Sequence, residues 1–190
     1  MLLTPEEQQE LLKLARETIT RVARGEDPPA VDLGTVSENL RRDGASFVTL
    51  TKNGQLRGCI GSLEMCRPLV LDVRDNAMGA ALRDPRFPPV QPAELSNIRI
   101  EVSVLSQPQP LVYDGPEDLI AKLRPGVDGV VIEQGWNRAT FLPQVWEKLP
   151  DPDQFLQRLC MKAYLPPDAY RSPGLDVYTY QVEKFEEAED

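Results

Sequence analysis

Two hydrophobic periods alternate along this chain, one helical and one extended. Leu11, Leu14, Ala15, Thr18, Ile19 and Val22 recur at helical spacing and predict one docking helix. Its start is written in Thr4-Pro5-Glu6-Glu7: Thr4 caps, Pro5 takes the first helical position, and Glu7 closes a capping box. The helix runs to about Arg24, where Gly25 supplies the stop. Residues 26 to 45 lack either period and read as a long ordered connection with a helical turn at 37 to 41.

The pattern then becomes extended. Ser46 to Thr51 and Leu56 to Leu63 flank Asn53-Gly54, a strong short-range hairpin signal. With a two-residue turn, Thr51 pairs with Leu56, Leu50 with Arg57, Val48 with Cys59 and Phe47 with Ile60. That register puts Phe47, Leu56 and Ile60 on a bulky apolar face. Arg57, Cys59 and Gly61 share the other, with the thiol beside its own arginine.

Pro68 to Leu82 reads as a second helix, with Leu69, Val73, Ala77 and Ala80 on one face and small residues at 79 to 81 for close packing against the hairpin. Asp84-Pro85-Arg86-Phe87-Pro88-Pro89 ends it in a rigid loop. Ile98 to Val104 is the cleanest strand, its polar face carrying Arg99, Glu101 and Ser103. A short helix over Pro116 to Leu123, a strand at Val130 to Glu133 and a hairpin through Gly135-Trp136-Asn137 to Phe141 follow. Asp151-Pro152-Asp153 caps a helix whose stripe is Phe155, Leu156, Leu159, Cys160 and Ala163, and a last strand spans roughly Leu175 to Phe185. Hairpins mixed with helices, without a regular βαβ repeat, predict an α+β fold with a mainly antiparallel mixed sheet and packed helices.

Composition narrows the function. A chain of 190 residues, 41% hydrophobic, buries a full core, and its length fits one domain with a smaller intertwined subdomain. The formal net charge of −9 opposes binding to phosphate backbones, so no nucleic-acid partner is expected. The acidic run Glu186 to Asp190 reads as a solvated tail. The N-terminus has no signal-peptide pattern, and no stretch approaches about 18 consecutive apolar residues, so a soluble, cytoplasmic protein without a membrane partner is expected.

Histidine is absent from the chain. That excludes cysteine-histidine and serine-histidine dyads and histidine metal centres within it, leaving proton transfer to carboxylates, Lys, Tyr, Cys or water. Cys59, Cys66 and Cys160 show no pairing or zinc spacing, so reduced thiols and no metal site are expected. Gly58-Cys59-Ile60-Gly61 fits the GXXG pattern of a nucleic-acid clamp, but its strand context and the acidic total oppose that use.

Cys59 is the candidate catalytic residue. A thiolate beside a guanidinium is stabilised, and flanking glycines leave room for a partner to approach. Arg57 is its candidate helper, stabilising the thiolate or an anionic substrate. Gly58, Gly61, Asp84, Arg86, Phe87 and Glu101 are the candidate binding residues, with Glu101 a pairing partner for Arg57 or Arg86. Each has an ordinary structural reading: a buried small hydrophobe for Cys59, an exposed strand residue for Glu101, a turn residue for Asp84 and an ion-pair partner for Arg86.

Leu56-Arg57-Gly58-Cys59-Ile60-Gly61, Ala81-Leu82-Arg83-Asp84-Pro85-Arg86-Phe87-Pro88-Pro89, Glu101-Val102-Ser103-Val104-Leu105-Ser106 and Thr140-Phe141-Leu142-Pro143-Gln144-Val145 resemble, in order, the AMMECR-one domain family. Its bacterial members are called AmmeMemoRadiSam system protein A, and LRGCIG is its signature. The resemblance implies a mixed α/β fold with a larger and a smaller part, and a functional site at the signature. It also implies association with a Memo-type protein and a radical S-adenosylmethionine protein. It identifies no reaction, substrate or cofactor, and it does not imply that this chain holds an iron–sulfur cluster. The chain departs from the family pattern at Asp128, where histidine is common, and at Tyr164, where the family has glycine. Asp128 either substitutes for that histidine or is structural. The alternative to an enzyme or enzyme component is a non-catalytic binding or adaptor protein.

Overall fold

A computed structural model describes residues 3–188. Thr4 caps α1 (Pro5–Ala23), and its hydroxyl and the Glu7 carboxylate complete the capping box. α2 (Glu38–Arg41) is one turn capped by Ser37. The hairpin is β1 (Asp43–Lys52) and β2 (Gln55–Gly61), followed by the two-residue β3 (Arg67–Pro68) and α3 (Leu69–Leu82). The remaining elements are β4 (Ile98–Leu105), β5 (Gln109–Pro110), α4 (Gly115–Lys122), β6 (Gly129–Gln134), β7 (Asn137–Phe141), α5 (Pro152–Lys162), β8 (Asp176–Tyr180) and β9 (Val182–Glu186). The fold is α+β, as the sequence pattern predicts.

The chain forms two compact units, Met1–Leu105 with Glu183–Asp190, and Ser106–Val182. The first contains a sheet of order β2-β1-β4-β9, with β3 paired to β1. One face of that sheet carries Val48, Leu50, Ile100 and Val102, all fully buried. α3 packs on it through Val73, Ala77 and Ala80, and α1 packs on α3 through Leu11, Ala15 and Ile19. Such faces, at about 1.5–3 kcal/mol per buried aliphatic side chain before entropy, account for both helices better than propensity does. The second unit has the order β5-β8-β6-β7. α5 buries Phe155, Leu156, Leu159 and Cys160 there, and Trp146 stacks on Phe155 with ring centroids 3.7 Å apart.

Three expectations change. Asn53 and Gly54 form the tight turn with φ of 51° and 77°, and Thr51 pairs with Leu56, but the register slips between Leu50 and Thr51. A bulge at Arg57 leaves that residue unpaired, so Leu50 meets Gly58, Thr49 meets Cys59, Val48 meets Ile60 and Phe47 meets Gly61. The last strand is two strands: β8 pairs with β6, and β9 lies beside β4. The acidic tail is anchored through its start. Glu186 pairs with Arg99, and Glu187 accepts from Arg16 and from the Ile100 amide. Asp190 and its neighbour Glu189 lie outside the described residues.

Candidate functional site

The bulge determines where each signature residue points. Arg57, only 8% exposed, turns to a partner the sequence pattern did not indicate, Glu94. Its Nε and Nη2 donate to the Glu94 carboxylate at 3.1 and 3.0 Å, while Lys52 Nζ donates at 2.9 Å. The Arg57 hydrogen bonds, helped by the Gln91 amide, pull the Glu94 carboxyl down to about 2. Arg57 is therefore tied into an ion-pair network rather than held against the thiol.

Cys59 lies on the sheet face opposite α3 and is partly exposed. Its cross-strand neighbour Thr49 donates a hydroxyl hydrogen bond to Sγ at 3.4 Å. Because β2 is an edge strand, the Cys59 N–H and C=O point away from β1 and need other partners. The loop after α3 supplies both. Asp84 accepts the Cys59 N–H at 2.8 Å, and Arg86 Nη2 reaches the Cys59 carbonyl at 3.5 Å. Arg86 also grips Asp84 through Nε and Nη2, at 2.9 and 2.7 Å. These bonds, led by the Arg86 side chain, hold the buried Asp84 carboxyl far below the usual carboxylate range. Asp84 in turn pushes the Arg86 guanidinium up, with a smaller contribution from the nearby Cys59 thiol. The arginine bonded to Cys59, through its backbone carbonyl, is thus Arg86, which corrects the placement expected for Arg57.

The glycines have packing reasons. A Cβ on Gly58 would lie 2.2 Å from the Ala80 carbonyl oxygen, and one on Gly61 would lie 2.2 Å from the Phe47 ring. The space beside each glycine is filled by the protein itself. Phe87 joins the cluster, with Arg86 Cζ 5.5 Å and Arg57 Cζ 6.0 Å from its ring centroid. Glu101 pairs with neither arginine. It stands opposite Thr49 on β4, in the same cross-strand row as Cys59 and about 10 Å from it by strand spacing, and its ion pair is with Lys184 at 3.6 Å. Sequence reasoning missed Thr49, Lys52 and Glu94. The Gln91-to-Glu94 capping box marks Glu94 locally, but nothing in the sequence links it to Arg57.

The other thiols differ. Cys66 is exposed, and Cys160 is sealed in the second core, where burial pushes its thiol up. Among the described residues no group of three or more Cys, Asp or Glu is placed to hold a metal ion, and no helix is long and apolar enough to cross a membrane. A cavity of about 540 Å³ bordered by Tyr113, Tyr170 and Tyr178, and a groove of about 980 Å³ along Arg16, Asn53 and Glu187, both lie away from Cys59.

The two family departures have structural answers. Asp128 is 1% exposed, and its carboxylate accepts from the Arg124 amide and guanidinium and from Gln181 Nε2. It anchors a turn. Tyr164 has a φ of 60°, at the residue where α5 closes in a Schellman motif: the Leu165 amide bonds Cys160 O, and the Tyr164 amide bonds Met161 O. Glycine fits that position without strain, and tyrosine does not.

Comparison with known proteins finds relatives over nearly the whole chain. An archaeal protein from Methanothermobacter thermautotrophicus is 44% identical over 97% of this chain and 96% of its own length. Protein MK0488 of Methanopyrus kandleri is 37% identical over 98% and 91%. The crystal structure of the uncharacterized protein PH0010 from Pyrococcus horikoshii superposes with a TM-score of 0.76 at 34% identity, covering 97% of this chain and 93% of that one. The AMMECR1 family model matches residues 12–185, and this chain belongs to the AMMECR1 family.

Proposed function

We propose that this chain is an enzyme, or the thiol-bearing component of one, with Cys59 of the LRGCIG segment as its reacting group. It works in the cytoplasm with a Memo-type protein and a radical S-adenosylmethionine protein. The observation that carries this reading is the setting of one sulfur. Thr49 donates to Cys59 Sγ at 3.4 Å, the Arg86 guanidinium stands nearby, and Asp84 and Arg86 pin the backbone on the strand's outer side. The donated hydrogen bond and the pinned backbone keep the sulfur oriented. Glu101, in the same row, is read as a contact for a substrate seated on that face. The partner assignment rests on the sequence resemblance alone.

The test is alkylation by iodoacetamide across pH, followed separately at the three thiols by mass spectrometry. Cys59 should react faster than Cys66 at neutral pH. A Cys59 no faster than Cys66 would remove the catalytic reading. The second reading, a non-catalytic binding or adaptor protein, is favoured by Trp136, which stands fully exposed at the β6–β7 tip. A blue shift of Trp136 emission on adding the Memo-type protein, with ordinary Cys59 kinetics, would support it.

A further inference from the structure

We propose that the cavity between the β5–α4 segment and the start of β8 takes an organic cation on an apolar stem, the chemistry of an arginine side chain, held by Tyr113, Tyr178 and the Asp176 carboxylate. The cavity measures about 540 Å³, and Tyr113, Tyr170 and Tyr178 all line it. One of these rings already shows the mode. Arg171 Cζ lies 5.1 Å from the Tyr170 ring centroid and its Nη2 donates to Asp153 at 2.6 Å, while the Tyr170 hydroxyl donates to the same carboxylate. Cation, ring and carboxylate there form a closed trio. Tyr113, Tyr178 and Asp176 supply rings and a carboxylate without the cation. The Tyr113 hydroxyl donates to Leu175 O at 2.7 Å, which fixes that side chain beside β8. Burial first, then the Asp176 charge, pushes the Tyr113 hydroxyl above its ordinary value, so the carboxylate is within electrostatic reach of the ring. Among the described residues the Asp176 carboxylate has no hydrogen-bond or ion-pair partner, and no cation lies over Tyr113 or Tyr178.

The charges around the cavity specify the sign of the occupant. Arg171 is compensated by Asp153, and Lys122, which reaches the wall at Val112 O, is compensated by Asp118 at 2.7 Å. Asp176 and Glu117 are left over. The Glu117 carboxylate stands beside the wall, 3.9 Å from where a Cβ on Gly115 would lie, and pairs with no cation among the described residues. Gly115 and Pro116 bring the N-terminus of α4 to the same wall, and its positive end offsets only about half a charge. The balance stays negative, on a chain whose formal net charge of −9 draws cations from solution. Asp176 also stands opposite Glu133 of β6, an unfavourable like-charge pair in which Arg138 relieves Glu133 and nothing described relieves Asp176. A small hydrated ion gains nothing from tyrosines, whereas an apolar stem with a charged end uses both the rings and the carboxylate. Guanidinium suits the site better than ammonium, because it is planar, stacks on aromatic rings and meets a carboxylate with two parallel bonds. The cavity lies away from Cys59, so this inference does not depend on the thiol reading.

Butylguanidinium and butylurea separate charge from shape, because both carry a planar group on the same butyl stem and only the former is a cation. Each is titrated into the intact chain and followed through the ring resonances of Tyr113 and Tyr178. Butylguanidinium should shift them saturably, with an affinity roughly fivefold or more above that of butylurea. Asp176→Asn, at an exposed position, should bring the two affinities to within about twofold of each other. Tyr178→Leu, which keeps an apolar wall and removes the ring, should weaken butylguanidinium and leave butylurea unchanged. Should Tyr178→Leu fail to fold, the neutral probe and Asp176→Asn decide alone. Acetyl-arginine methylamide then identifies the source of the cation: binding as tight as butylguanidinium or tighter assigns the site to an arginine of a partner protein, and weaker binding assigns it to a free small cation. Shifts that do not saturate, equal affinities for the charged and neutral probes, or a preference untouched by Asp176→Asn overturn the proposal. A reactive Cys59 beside a cavity that binds neither probe removes this inference and leaves the thiol reading standing, and an unreactive Cys59 beside a cavity that prefers the cation does the reverse.

Discussion

Alanine in place of Gly58 tests whether the signature glycine exists for packing or for a ligand. The added Cβ would lie 2.2 Å from the carbonyl oxygen of Ala80 and 3.1 Å from its carbonyl carbon. Ordinary contact starts near 3.4 Å, so β2 and α3 must part by about 1 Å locally. The obstacle is backbone in the body of a helix whose Val73, Ala77 and Ala80 are buried, so no side-chain rotation relieves it. Overpacking a close-packed interior costs about 1–3 kcal/mol, and an immobile obstacle belongs at the upper end. At about 2–4 °C per kcal/mol for a chain of this size, Gly58→Ala should lower Tm by roughly 6–12 °C. Calorimetry and urea titration measure it. Adding Ala80→Gly should not help, because the carbonyl remains. Gly61→Ala, which meets only the Phe47 ring, should be relieved by Phe47→Leu. A Gly58→Ala protein with Tm within about 2 °C of wild type but altered Cys59 kinetics would refute the packing account and assign the glycine to ligand approach.

Tyr164→Gly should stabilise the protein by about 0.5–1 kcal/mol, because relief of left-handed strain outweighs the greater unfolded-state freedom of glycine; thermal melts read the gain. The ion pairs on Glu94 lower its folded-state pKa to about 2, so their stabilisation is complete above the ordinary value of 4.5 and is lost as pH falls toward 2. Urea titrations of wild type and Glu94→Gln should therefore differ by roughly 2 kcal/mol at pH 7 and converge only as pH falls through ~2; a constant gap would contradict the assignment. Asp128→Ala should cost about 2–3 kcal/mol by freeing the Arg124 turn, yet leave Cys59 alkylation unchanged, which a role as replacement base would not allow. Thr49→Val should slow Cys59 alkylation at neutral pH, with Thr49→Ser restoring it, as a hydroxyl donor to sulfur requires.

Local information in the chain was sufficient for local structure. Thr4-Pro5-Glu6-Glu7 gives the cap of α1, Asn53-Gly54 gives the hairpin turn, and the Phe155-to-Cys160 stripe gives a core helix with a sealed thiol. What escaped depended on partners far away in sequence. The bulge at Arg57 follows from Glu94, 37 residues on, drawing the guanidinium out of the strand's alternation. No period within β2 records that pull. Likewise Leu175 to Phe185 has one continuous alternation, yet Ser106 and Gln181 bond each other where the chain leaves one sheet for the next. The tail looked solvated because its charges were counted without Arg16 and Arg99, which lie at least 87 residues away.

The bulge also explains how a site arises on an edge strand. In an unbroken strand Arg57 and Cys59 would share a face, and the arginine would be the natural partner of the thiol. One extra residue ends that alternation and leaves the thiol facing Thr49, while its outward N–H and C=O need another partner. Asp84 and Arg86 provide it, acceptor to donor and donor to acceptor, as a neighbouring strand would. An edge so covered resists pairing with another chain, which is one requirement of a stable sheet. The same two side chains fix the backbone that carries the sulfur, which orients the thiol. Edge protection and orientation of the thiol are thus one feature, and a change at Asp84 must weaken both together.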